Sequence, residues 1–337
     1  MYTLTTASPH PVSHMLFHPD GATFAVAQPN SGVTLVDRAS GRVVGTIPVP
    51  RVADYSSIIF VENGARLVAA SARGVTVCDT ATGEILVQFG KGMLSGAALA
   101  ECATGIVAAT GNGLRTLSLA TVISGDRTLT VLEKRTRSLQ SRALLVAVSP
   151  GGQWSVGVYG RVKPSLIDIG TGRVALGLDH PYRLEGPYAR NLPVVTFAPN
   201  GDRFAICDGV NVTVFDTPRE ESEPEDDEPD PSLVQRAATA TAPKPRAIVE
   251  PVFTLNRPSG VAATDPWRPE VAFTPDGRSL LVRRPRNRVQ LWDVGTGSQA
   301  GEWSWRLDSV TCLAVAPDGL TAVAGARHGR VVVWDLE

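Results

Sequence analysis

The segment Arg330-Val331-Val332-Val333-Trp334-Asp335 repeats Arg288-Val289-Gln290-Leu291-Trp292-Asp293 almost position for position. Looser copies run Gly32–Asp37, Gly74–Asp79, Lys163–Asp168 and Asn211–Asp216, and Gly113–Ser118 is a copy that has lost its acid. A repeat at a fixed period constrains the fold more than any other sequence signal, because each copy must be the same supersecondary unit.

A second repeated unit precedes each of these: an apolar strand that runs into a turn. Met15-Leu16-Phe17-His18-Pro19-Asp20-Gly21 matches Val195–Gly201, Val271–Gly277 and Leu313–Gly319, with Val146–Gly152 and Ile58–Gly64 as close variants and Leu99–Gly105 as the poorest copy. In such a turn proline presets φ, Asp or Asn suits the next position and glycine takes the positive φ. The turn glycines fall at 21, 64, 105, 152, 201, 277 and 319, so the spacing is 41 to 49 residues with one gap of 76. A period of roughly 40–45 residues with four strands per unit is the signature of propeller blades. The expectation is an all-β chain: a seven-bladed β-propeller over residues 1–337, with four antiparallel strands per blade. Several third strands end in Asp followed by a shared turn, as in Asp79-Thr80-Ala81-Thr82-Gly83 and Asp293-Val294-Gly295-Thr296-Gly297. An Asp there can accept backbone N–H groups of its turn, which explains its recurrence without catalysis.

The 76-residue gap holds one foreign segment. Residues 220–230 carry eight acids in eleven positions with prolines between them, and an Ala/Thr/Pro stretch follows. Such a composition cannot bury enough apolar surface to offset the entropy of ordering, so 218–246 is expected to be a disordered acidic, Pro-rich insertion within the fifth blade. Strand pattern resumes over 248–255.

These motifs resemble the WD-repeat β-propeller family along essentially the whole chain. Trp292-Asp293 and Trp334-Asp335 carry the dipeptide that names the family, while the Gly-His that usually opens its repeats is absent. The chain therefore reads as a divergent, bacterial-type member. The last repeat stops at Leu336-Glu337, directly after its third strand. Tyr2-Thr3-Leu4-Thr5-Thr6 alternates with period two, and the resemblance implies that the N-terminus supplies the missing strand and closes the ring. Closure removes sheet edges that would otherwise template aggregation.

Composition excludes some classes. The net charge is −1, so no bulk attraction to nucleic acid or membrane follows. No apolar run approaches the 18 or so residues of a membrane span, and the N-terminus lacks the charged and apolar regions of a signal peptide. A cytoplasmic, monomeric propeller is expected. Cys78, Cys102, Cys207 and Cys312 have no metal-like spacing and read as reduced thiols. No nucleophile elbow, phosphate loop or zinc-protease motif is present, so no catalytic residue, cofactor or metal is assigned. His10, His14 and His18 recur every four residues, but on a loop entering a strand rather than on a helix. Trp292, Trp334 and Trp154 are expected in the core, with Trp303 and Trp305 partly exposed.

Alternate loops of a propeller open on opposite faces. Loops between second and third strands, and those linking blades, gather Arg51, Arg73, Arg161, Arg190, Arg268, Arg284, Arg286 and Arg327, with Trp267 and His328 beside them. The acidic insertion falls on the other face. The expected function is a non-enzymatic scaffold that binds a protein partner, of acidic character, through this Arg-rich face. Scattered surface arginine is the bland alternative. A channel enzyme or ligand binder of lactonase-like or quinoprotein-like type is the alternative function. Nucleic acid is disfavoured because few exposed aromatics accompany the arginines.

Overall fold

In the computed structural model, the described residues are 1–49, 55–71, 73–89, 98–102, 105–110, 113–117, 144–159, 162–170, 173–179, 194–207, 211–218, 248–256, 270–284, 287–305, 307 and 309–337. Their elements are strands, with a 3-10 turn at Arg327–Gly329. After β1 (Tyr2–Thr5) come β2 (His14–Phe17), β3 (Thr23–Gln28), β4 (Gly32–Asp37) and β5 (Val43–Ile47), which form one antiparallel sheet. The next sheet is β6 (Tyr55–Val61), β7 (Arg66–Ser71), β8 (Gly74–Asp79) and β9 (Ile85–Phe89). A third comprises β10 (Ala98–Cys102), β11 (Gly105–Thr110) and β12 (Gly113–Leu117). The fourth holds β13 (Leu144–Val148), β14 (Trp154–Tyr159), β15 (Val162–Asp168) and β16 (Arg173–Leu178).

The fifth sheet begins β17 (Val194–Phe197), β18 (Arg203–Cys207) and β19 (Val212–Asp216). Beyond the long gap, β20 (Ile248–Val249) joins the fourth sheet and β21 (Phe253–Leu255) completes the fifth. The sixth is β22 (Val271–Phe273), β23 (Ser279–Arg284), β24 (Arg288–Asp293) and β25 (Gln299–Ser304). Finally β26 (Val310–Val315), β27 (Thr321–Ala326) and β28 (Arg330–Asp335) form a sheet with β1.

First strands lie side by side in sequence order, and β26 returns to β2, so the sheets make a closed ring. The blade count differs from the seven four-stranded blades expected. Six sheets have four or more strands and form six complete blades, whereas β10–β12 stops at three. The repeat is also weakest there: Ser118 stands where other third strands end in Asp, and residues 118–143 lie outside the described ones. The insertion assigned to 218–246 likewise lies outside them, apart from Pro218.

The sheets pack through apolar side chains that alternate along each strand. Phe24, Val36 and Val333 meet across the terminal seam, Phe204, Leu166 and Trp154 across another, and Trp334 with Leu281 across a third. Fully burying each such aliphatic or aromatic group is worth about 1.5–3 kcal/mol. In four blades the pairing of third and fourth strands shifts register at the same place, after Leu35, Val77, Leu166 and Leu291. One extra residue there sharpens the local twist that each blade requires.

The ring closes through the chain's two ends. β1 pairs antiparallel with β28, in the register Tyr2↔Val333 and Leu4↔Val331. The Thr6 amide and hydroxyl both donate to the Gly329 carbonyl, at 2.9 and 3.1 Å, and the Tyr2 hydroxyl donates to the carbonyl of Arg38 in the first blade.

Candidate interaction surfaces

Each Pro-Asp-Gly turn closes as its residues dictate. The Gly21 amide donates to His18 O at 2.8 Å with Gly21 at φ +69°, and Asp20 Oδ1 accepts the Ala22 amide at 2.8 Å. Asn200, Asp276 and Asp318 make the same bond two residues on. The third-strand acids also cap their turns. Asp293 Oδ1 accepts the Thr296 amide at 2.6 Å and its hydroxyl at 2.8 Å, and Asp79 does the same with Thr82. These bonds favour the carboxylate. The Thr296 amide and hydroxyl hold Asp293, and those of Thr82 hold Asp79, below the usual range, while the Ser40 hydroxyl and amide do so for Asp37.

Both turn types open on one face, called lower here, and stitch blades together. Arg38 pairs with Asp318 between the first and last sheets. Burial alone would raise Asp318, but hydrogen bonds from Arg38 and the Leu320 amide, with the Arg38 charge, bring it below its ordinary value. Asn200 donates to Asp276 O at 2.9 Å and Arg203 Nη1 to Gly277 O at 3.2 Å, joining the fifth and sixth sheets. Arg66 and Arg203 are tied to Asp79 and Asp216, at 2.6 and 3.0 Å. His18 lies 3.3 Å from Gly64 O, edge-on to Phe60, and 2.9 Å from Asp20.

The opposite, upper face gathers the turns between second and third strands. Arg73, Arg327 and His328 are exposed there, with His328 held at φ +59° in its 3-10 turn. Arg284, expected on a loop of this face, instead ends β23 and is buried, at 7% relative exposure. Its Nη2 donates to Asn256 O at 3.3 Å. Desolvation, then the neighbouring Arg288, push its guanidinium pKa down, against the opposing pull of Glu302. Arg51, Arg161, Arg190, Trp267, Arg268 and Arg286 lie outside the described residues.

Between the faces runs a channel of about 1040 Å³, lined by the first strands. Its side chains include apolar or small ones, as at Leu16, Ile59, Leu99, Ala272 and Ala314, while its exposed lining is shared about evenly between polar and apolar atoms; the titratable side chains among the described lining are His14, Glu101 and Cys102. Glu101 is engaged, accepting the Glu62 amide at 2.6 Å. His10, His14 and His18 are dispersed to a loop, the channel wall and a lower turn. Among the described residues no group of three or more His, Cys, Asp or Glu could hold a metal ion. Cys78, Cys207 and Cys312 are buried. Burial pushes the Cys78 thiol up to about 11 and raises Cys312 as well, so both are poor nucleophiles.

No family model matches the chain. An uncharacterized WD repeat-containing protein of Schizosaccharomyces pombe is 31% identical over 65 residues, which is 19% of this chain and 16% of that relative. The β-propeller domain of Myceliophteria thermophila Cps50 (Swd1) superposes with a TM-score of 0.66 at 13% identity, covering 99% of both chains. The fold is that of a WD-repeat β-propeller. Neither relative supports the bacterial type expected from the sequence.

The dipeptides that name the WD repeat are structural in this propeller. Trp334 is buried between the last two sheets, with Trp305 and Trp303 at ring centroid distances of 4.5 and 5.9 Å. Trp303 and Trp305 therefore serve inter-blade packing. Trp292 lies 6.0 Å from Phe253 and donates its indole N–H to Gln290 at 3.2 Å. Sequence reasoning missed the lower-face stitches Arg38–Asp318 and Asn200–Asp276. Their sequence signal, an acid or amide at the same turn position in successive repeats, was present but read only as a local turn former.

Proposed function

We propose that this WD-repeat propeller is a non-enzymatic scaffold that binds a protein partner of acidic character on its upper face, as a single copy in the cytoplasm. One observation carries the reading: exposed arginines at the upper-face turns that make no ion pair among the described residues. On the lower face Arg38, Arg66 and Arg203 are each tied to a turn aspartate. On the upper face Arg73 and Arg327 are exposed, and among the described residues neither makes an ion pair. Arginine so placed is available for charge-assisted, bidentate recognition of carboxylates. The channel favours this reading over a channel enzyme, since its described lining offers few groups for acid–base or nucleophilic work. The test is affinity purification with wild type, Arg73→Glu/Arg327→Glu and a lower-face control, Arg42→Glu. A partner recovered in stoichiometric amount by wild type and control, and lost with the double variant, is the expected result. Equal recovery by all three contradicts the face assignment.

A further inference from the structure

One backbone bond recurs across the lower face. The residue after a third-strand acid donates its amide to the carbonyl of the residue after the turn glycine. Arg38 bonds Ala22, Thr80 bonds Ala65, Ile169 bonds Gln153, Val294 bonds Arg278 and Leu336 bonds Leu320, at 2.8 to 3.1 Å. In the fifth blade the pair is Thr217 and Asp202, at 2.8 Å. Of these six pairs, it is the one that brings a carboxylate to the bonded position.

The third-strand acid of this blade also behaves differently. Asp37, Asp79 and Asp293 each commit one carboxylate oxygen to the amide and hydroxyl of their own turn. Asp216 is followed by Thr217-Pro218, and its Oδ1 instead accepts Arg203 Nε at 3.0 Å. Two cavities open here, of about 420 and 330 Å³, and Asn200, Asp202 and Thr217 line both. Thr217 is 9% exposed, and its hydroxyl has no hydrogen-bond partner. A buried hydroxyl left in that state costs about 1–3 kcal/mol. Asp202 is exposed and makes no ion pair among the described residues.

We propose that these cavities form a docking pocket for the guanidinium of an arginine side chain on a protein partner. Charge complementarity selects a cation, since the described wall of the larger cavity sets Asp202, Asp216 and Asp276 against Arg203 and Arg278. Asp276 Oδ1 is already taken by the Thr274 hydroxyl and the Arg278 amide, leaving Asp202 and Asp216 as acceptors for an incoming donor. A guanidinium carries five N–H donors in one plane. A single group can therefore serve a carboxylate bidentately and still donate to the Thr217 hydroxyl. An ammonium is a point charge without that fork. The pocket lies on the lower face, so it stands or fails independently of the upper-face reading.

The probe is N-acetylarginine methylamide, titrated into 15N-labelled protein and followed by amide chemical shifts. The lysine and citrulline derivatives serve as the plain cation and the neutral isostere. Saturable shifts of the Asp202 and Thr217 amides are expected with arginine, smaller ones with lysine and none with citrulline. Asp202→Asn should weaken the arginine probe about tenfold, as loss of a charged hydrogen-bond partner implies. Thr217→Val keeps the shape of the side chain and should weaken the probe while melting no lower than wild type. It decides the matter should Asp202→Asn fold poorly. No saturable shift with the arginine probe, an equal response to citrulline, or wild-type affinity in Thr217→Val and Asp202→Asn would each overturn the proposal.

Discussion

Gly329 is where the two ends of the chain press against each other, and Gly329→Ala tests that contact quantitatively. The residue has φ +70°, and a β-carbon there would lie 2.2 Å from Ser8 O and 2.2 Å from Thr6 Oγ1. The left-handed conformation costs alanine about 1–2 kcal/mol. Relieving the overlap must displace the Thr6–Ser8 segment, losing the two Thr6 hydrogen bonds to Gly329 O, at about 1 kcal/mol each. The expected loss is about 3–4 kcal/mol, or a fall in Tm of about 6–8 °C at roughly 2 °C per kcal/mol for a chain of this size. Gly201→Ala is the control, since Gly201 has φ +77° but nothing within 4 Å of its added β-carbon. It should lose about 1–2 kcal/mol, the conformational part alone. Thermal melts of the two variants give the difference, and limited proteolysis should cut residues 1–8 faster in Gly329→Ala. Equal losses for the two glycines would refute the claim that the termini are locked at this point.

Deleting residues 1–7 removes β1 from β28 and should sharply lower Tm; an unchanged melt would show that this pairing does not hold the ring. Asp293 has a folded pKa held below its unfolded value of 3.8 by Thr296, so its stabilisation is present above that value and is lost as pH falls through the folded pKa. Asp293→Asn should accordingly be less stable than wild type at pH 7, with the gap closing below about pH 4 in pH-dependent melts. Arg284→Glu places an opposite charge in a buried site and should destabilise markedly, whereas Arg327→Glu on the surface should stay within about 0.5 kcal/mol of wild type by the same melts.

The turns were the most legible part of the sequence, because glycine at 21, 201, 277 and 319 answers a purely local demand for positive φ. The Asp-x-x-Thr-Gly turns and the alternating Tyr2–Thr5 strand were readable for the same reason: each carries its own hydrogen-bond logic. The third sheet was the least legible, since Ser118 stands where the other third strands end in the acid that caps their turn. The apolar run from Ile248 to Leu255 read as one strand, but alternation says nothing about which sheet edge a strand joins, and it joins two. Arg284 was read as a loop residue because its charge masks the last inward position of β23. Trp303 and Trp305 are partly exposed, as their place on an outer strand suggests, and what the pattern does not show is their packing on Trp334 of the next sheet. Those contacts cross between repeats, where a repeat pattern carries no information.

Hydrogen exchange of the propeller with its co-purified partner tests docking on the upper face most directly. New protection is expected at the turns around Arg73 and at Arg327–Arg330. Protection confined to the lower turns at 37–41, 79–83 and 293–297, or to the channel strands, would contradict it.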